Sequence, residues 1–216
     1  MRGRPLIEYT IRAAQESRIV DQILLSTDDD EIAEVGLRMG LDVRYRRPAE
    51  LAADATPMID SLEHGVRWIE RERGTVPDEI LLLQPTSPLR TARDIDSATA
   101  LFRESGASSL VSVHAMGEHP SECIVKNGQR WSYLVEPPEG ASRRQDYADS
   151  FYFINGAIYL ARSEMLLSQR RFIQPGVSET YVMPRERGVD IDSYRDLRIA
   201  EAMLDSCKTG NAAGGS

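Results

Sequence analysis

EILLLQPTSPLR, residues 79–90, joins an unbroken apolar run to a polar turn held between two prolines. Ile80, Leu81, Leu82 and Leu83 leave no polar side for solvent, the pattern of a strand covered on both faces in a parallel sheet flanked by helices. Pro85 and Pro88 fix φ on either side of Thr86 and Ser87, so hydroxyls and backbone donors are pre-set at the strand's carboxyl end. In open parallel sheets that end is where ligands bind. Turn and cap duty is the competing reading for the two hydroxyl residues.

Outward from this strand the chain alternates. Downstream, Thr91 with Asp94 three residues on predicts a capped helix closed by Gly106, and SLVSVH (109–114) predicts the next strand. Upstream, Pro5 opens a helix that runs to about Ser17, and QILLST (22–27) predicts a strand. DDDEIAEVGLRMG (28–40) follows as a helix, acidic in its first turn where the macrodipole favours carboxylates. Residues 42–45 fit a short strand, 46–57 a loop, and Met58, Ile59, Leu62, Val66 and Ile69 one side of a helix ending near Gly74. Strands alternating with such helices predict an α/β fold of three layers around a mostly parallel sheet.

After residue 115 the pattern changes. Two short runs flank Asn127-Gly128, the strongest short hairpin signal, and predict an antiparallel insertion over about 115–150. EPPEGASRRQDYADS (136–150) has the length and polarity of a lid or binding loop. FYFINGAIYLA (151–161) and ETYVMP (179–184) return to strands, and SYRDLRIAEAML (193–204) closes as a helix. One domain spans residues 1–208, and the glycine-rich tail 209–216 is expected to be disordered.

The 216 residues are 41% hydrophobic, enough for a sizeable core, and carry a net charge of −8. That balance argues against a general nucleic-acid binder or an anionic-membrane surface. Two cysteines make no disulfide framework, no apolar run approaches the roughly 20 residues of a membrane span, and residues 1–10 lack a signal-peptide core. A soluble cytoplasmic protein is expected. No G-x-G-x-x-G follows a first strand, and neither a P-loop nor a serine nucleophile elbow occurs.

Two further constellations carry chemistry. Asp190 and Asp192, if extended, present both carboxylates on one face, an arrangement that grips a hard cation such as Mg²⁺ beside substrate phosphates. The alternative is that Asp192 caps the final helix. Arginine suits phosphate and carboxylate, and Arg46-Arg47, Arg90 and Arg143-Arg144 supply it. His64, His114 and His119 share no metal spacing, and His64 reads as structural.

PLIEYTIRAA, LLSTDDDEIAE, RRPAELAADAT, LLLQPTSPLRTARDID, FINGAIYLA and VMPRERGVDIDSYRDLRIAE, in this order, resemble the acylneuraminate cytidylyltransferases, which activate 2-keto sugar acids. The likeness runs from about Pro5 to Leu204. It implies a Rossmann-like nucleotidyltransferase sheet with a small antiparallel extension exchanged across a homodimer. It also implies a reaction joining CTP to a nonulosonic acid of sialic or legionaminic type, with Mg²⁺, to give a CMP-sugar and pyrophosphate.

By the same resemblance Gln84, Thr86 and Ser87 lie where CTP and sugar meet, and Arg47 contacts CTP. Asn155, Tyr159 and Arg144 line the sugar site, and Asp190 and Asp192 bind the metal. Gln84 and the two aspartates are thus the implied catalytic set.

Members of that family open with a strand and an Arg-Gly-Gly-Ser-Lys-Gly type loop around the triphosphate. The present sequence starts after that point, so Met1 is expected to be internal to a longer protein and residues 1–216 alone to have little synthetase activity. Met58 stands where the family commonly has serine, and Glu122 where lysine occurs in sialic-acid enzymes. Two other readings stay open: a sugar nucleotidyltransferase using another nucleotide, and a non-catalytic binding or regulatory relative.

Overall fold

The computed structural model describes residues 1–53, 55–139 and 150–210, with side chains described through Leu204. Helix α1 is Leu6–Glu16, α2 Asp30–Arg38, α3 Met58–Arg73, α4 Ala92–Ser105, α5 Ser163–Gln169 and α6 Tyr194–Gly210. Strand β1 is Glu79–Leu82, β2 Ser109–Ala115, β3 Ile124–Asn127, β4 Arg130–Tyr133, β5 Tyr152–Arg162 and β6 Glu179–Val182.

The main sheet has the order β1-β5-β2-β6. β5 is antiparallel to both β1 and β2, and β6 is parallel to β2, so β1, β2 and β6 share one direction and β5 alone runs against them. β3 and β4 form a separate antiparallel hairpin, turning at Asn127-Gly128 as their sequence predicts.

The apolar run Ile80–Leu83 is used on both faces. Leu81 and Leu83 pack with Ala13 of α1 and with Ile95, Ala98 and Phe102 of α4. Ile80 and Leu82 pack on the other face with Ile59 and Leu62 of α3 and Leu166 of α5. Alternation along a strand sends neighbours to opposite layers, which makes the three-layer architecture.

Two expected strands differ. Residues 22–27 and 42–45 belong to no sheet, although Leu25 is buried with Ile11 of α1 and Leu41 in a second cluster, against which Ile23 and Val43 pack. The two segments meet at one end, where the Arg47 N–H donates to the Thr27 carbonyl at 3.1 Å, but a strand requires a ladder partner along its length, and among the described residues neither segment nor the second edge of β1 has one. Their apolar content was legible, whereas the missing partner is not a property of either segment.

Helix ends follow local chemistry. Asp29 accepts from the Ile32 N–H at the start of α2, and Gly74 and Gly106 close α3 and α4 in the left-handed conformation. His64 accepts or donates a 3.0 Å bond with the buried Tyr45 hydroxyl, a structural role. Among the described residues no helix is long and apolar enough to cross a membrane. Residues 211–216 and most of the expected binding loop lie outside the described residues.

Candidate functional site

The QPTSP turn leaves β1 at Gln84, and the Ser87 N–H donates to the Gln84 carbonyl to close it. Opposite lies the NGAIY segment of β5. There β5 takes five residue steps, Ile154 to Tyr159, while β2 takes two, Val111 to Val113. The extra residues form a bulge, a device that re-aims side chains beside functional sites.

Ser112 and Asn155 staple that bulge. The Ser112 hydroxyl donates to Asn155 Oδ1 at 2.6 Å and accepts from the Ile158 N–H at 2.8 Å, while Asn155 Oδ1 also accepts from the Ala157 N–H at 3.1 Å. Gly156 sits at φ +71°, and a Cβ there would lie 2.9 Å from Gln84 Oε1. Glycine is therefore required twice, by conformation and by the close approach of Gln84.

Arg90 braces the same junction from below. It is 3% exposed and donates to the Ala157 carbonyl at 2.5 Å, the Thr10 hydroxyl at 2.9 Å and the Gln84 carbonyl at 3.4 Å. Burial pushes its pKa down to about 10, against the opposing pull of Asp94, so it stays cationic at neutral pH. The arginine considered as a phosphate ligand instead ties β1, β5 and α1 together.

The Asp190–Asp192 segment reaches the turn through its backbone, where the Ile191 N–H donates to the Thr86 carbonyl at 2.8 Å. Asp190 Oδ1 is buried without a hydrogen-bond partner among the described residues, and Asp192 is exposed. Asp192 does not cap α6; Ser193 accepts from the Asp196 N–H and Asp196 bonds back to the Ser193 N–H. Both carboxylates are thus spared. Two carboxylates two residues apart, one with an unpartnered oxygen and one exposed, offer the oxygen ligands a hard divalent cation takes, although among the described residues no group of three or more candidate metal ligands gathers. Tyr159 lies near enough to Asp190 that burial and that charge together raise its phenol pKa, so it remains a donor at neutral pH.

Other expected residues fall as follows. Arg47 donates to Asp28 at 2.8 Å, which holds the Asp28 carboxyl below its ordinary pKa, and Arg47 Nε is buried without a partner. Thr86 is half-buried, whereas Ser87 is wholly buried with an unpartnered hydroxyl. Asn155, expected to line a sugar site, is 1% exposed and serves as the bulge staple, leaving Nδ2 unpaired against Gly188. Glu122 is exposed on a short 3₁₀ turn. Arg144 lies outside the described residues.

Two site contacts emerge from the packing. Met58 Sδ lies 3.9 Å from Gln84 Nε2, so the thioether touches the carboxamide at the turn. Arg187 donates through Nε and Nη2 to Asp94 at 2.9 and 2.8 Å. Burial pushes the Asp94 carboxyl up, but donors from Arg187 and Thr91 outweigh it and hold the pKa below the ordinary value. Asp94 was legible as the capping residue of α4, and its second partner was not.

Comparisons with known proteins bear on the chain as a whole. The family model described as cytidylyltransferase matches residues 1–178. The CMP-N,N'-diacetyllegionaminic acid synthase of Legionella pneumophila is 30% identical over 205 residues, covering 94% of this chain and 86% of that protein. The pseudaminic acid cytidylyltransferase of Campylobacter jejuni is 27% identical, covering 93% and 85%. An N-acylneuraminate cytidylyltransferase of Streptococcus agalactiae is 31% identical over 90% of this chain, which spans 46% of that longer protein. In fold, the chain resembles a CMP:2-keto-3-deoxy-manno-octonic acid synthetase solved with CTP, with TM-score 0.64 and 17% identity over 94% of this chain and 89% of that one. The 4-diphosphocytidyl-2C-methyl-D-erythritol synthase of Anaerococcus prevotii gives TM-score 0.66 and 12% identity, over 94% and 87%.

Proposed function

We propose, from the premise that this chain belongs to the cytidylyltransferase family, that it transfers the cytidylyl group of CTP to a nonulosonic acid of sialic or legionaminic type, releasing pyrophosphate. The observation that carries this reading is the meeting of three separate segments at one point. Gln84 abuts Gly156 of the β5 bulge, and Thr86 is bonded to the segment that bears Asp190.

The proposed roles follow from the chemistry of phosphoryl transfer, which rests on placement and charge neutralisation more than on a nucleophilic side chain. Gln84 offers its carboxamide at the mouth of the turn, held by Gly156 and Met58. Tyr159 contributes a phenol that stays protonated, and Arg47 turns from Asp28 toward nucleotide phosphate. Thr86 supplies the turn's accessible hydroxyl, Ser87 being buried behind it, and Asn155 sets the bulge that presents Tyr159. Arg144 is assigned to the sugar carboxylate by resemblance. Asp190 and Asp192 would hold Mg²⁺, which when bound supplies positive charge against the phosphates.

A homodimer is part of the reading. The β3–β4 hairpin and the first half of β5 expose Trp131 at 57%, Phe153 at 55% and Ile124 at 53%, apolar area of the kind that interfaces cover. A cytoplasmic location is part of the same reading, supported by the use of CTP as co-substrate. The test is pyrophosphate release by the full-length protein, expected with CTP, Mg²⁺ and a nonulosonic acid together and absent when any one is withheld. Release with the sugar omitted would count against a synthetase.

A further inference from the structure

We propose that the Asp94–Arg187 ion pair is a positioning clasp: it fixes the Gly188–Asp192 segment against the QPTSP turn, so Arg187 is a positioning residue for Asp190 and Asp192. The inference rests on the cytidylyltransferase reading for its chemical consequence, though not for its geometry.

Asp94 is 1% exposed and accepts from five donors: the Thr91 N–H and hydroxyl, Arg187 Nε and Nη2, and the Tyr181 hydroxyl. Capping α4 needs only the first two, since the Thr91–Asp94 box is complete by itself. The arginine therefore does something besides capping. Arg187 ends a 3₁₀ turn directly before Gly188, three residues ahead of Asp190. A bidentate guanidinium fixes angle as well as distance, which a lone ammonium does not.

The other end of the segment is also fixed. Ile191 bonds to Thr86, and Gly188 is closed in by His114 and Asn155, whose nearest atoms would stand 2.6 and 2.9 Å from an added Cβ. The anchor at Asp94 is rigid relative to the turn. α4 begins at Ala92, two residues after Arg90, whose guanidinium bonds Gln84 and Ala157. Clasp, turn and bulge thus form one unit, and the buried, unpartnered Oδ1 of Asp190 lies on the span between its two anchors.

The experiment compares Arg187→Met, Arg187→Lys and the milder Asp94→Asn in the full-length protein, by hydrogen exchange and by the Mg²⁺ dependence of pyrophosphate release. The expected result for Arg187→Met is exchange at least tenfold faster in peptides covering residues 184–193 with β5 unchanged. Half-saturating Mg²⁺ should rise about tenfold with the KM for CTP little altered, and Arg187→Lys should fall between. Unchanged exchange at 184–193, or an equal rise across the whole chain, overturns the clasp. Should Arg187→Met not fold, Asp94→Asn and Arg187→Lys carry the same exchange comparison. If the unmodified protein releases no pyrophosphate with any nucleotide, the functional reading fails, while the exchange result still decides the clasp.

Discussion

Gly156→Ala isolates the contact between the β5 bulge and the QPTSP turn. An L-residue at φ +71° costs about 1–2 kcal/mol, and Ala in place of Gly returns about 0.4–1 kcal/mol by restricting the unfolded chain. The net loss is about 1 kcal/mol, or a fall of roughly 2–4 °C in Tm for a chain of this size. The new Cβ would meet Gln84 Oε1 at 2.9 Å, the far end of a flexible side chain, so relief comes by swinging the carboxamide aside at little cost in stability. Activity and stability should therefore separate. Urea unfolding should show the modest loss, while kcat/KM for pyrophosphate release falls at least about thirtyfold, equivalent to about 2 kcal/mol of lost transition-state stabilisation. A variant that loses the expected stability yet keeps kcat/KM within twofold would refute the placement of Gln84 at the reaction.

Three further outcomes follow. Ser87→Ala should leave urea unfolding within about 0.5 kcal/mol of the parent or slightly improve it, because the hydroxyl is buried without a partner; a loss above about 2 kcal/mol would reveal a bond that the geometry lacks. Asp94→Asn should cost about 1–3 kcal/mol at neutral pH, discounted because Arg187 is 33% exposed. Asp94 has a depressed folded pKa, so its stabilisation is full above the unfolded value near 3.9 and disappears as pH falls through the folded value. The gap between parent and variant should be constant from about pH 8 to 5 and close at lower pH; a gap unchanged to about pH 2 would contradict it. The proposed dimer predicts that the parent sediments as a dimer and Trp131→Glu as a monomer; a monomeric parent would remove the dimer, and a dimeric variant would remove the hairpin from the interface.

Much of the fold was written locally. The apolar run around β1, the Thr91–Asp94 box, the glycines ending α3 and α4, and Asn127-Gly128 each state a backbone preference that the structure keeps. What local pattern could not state was pairing. β5 reads like any other strand, yet it runs against its neighbours, and residues 22–27 read like a strand without finding a ladder. The site divides the same way. The residue types at the turn and at Asp190 and Asp192 marked segments that the structure brings together, through the Ile191–Thr86 bond and the approach of Gln84 to Gly156. Burial is a tertiary property, so Asn155 and Ser87 as buried residues, Arg90 as a brace and Arg187 as the partner of Asp94 emerge from the packing alone.

The central claim is cytidylyl transfer at the meeting of QPTSP, NGAIY and the Asp190–Asp192 segment. Its most direct test is pyrophosphate release by the full-length protein with a nonulosonic acid and Mg²⁺, run in parallel with CTP, UTP, GTP and ATP and repeated with Asp190→Asn. The account predicts release with CTP far above the other three nucleotides and a loss of at least about a hundredfold in the variant, equivalent to about 2.7 kcal/mol. Equal release with another nucleotide, or an Asp190→Asn variant as active as the parent, would contradict it.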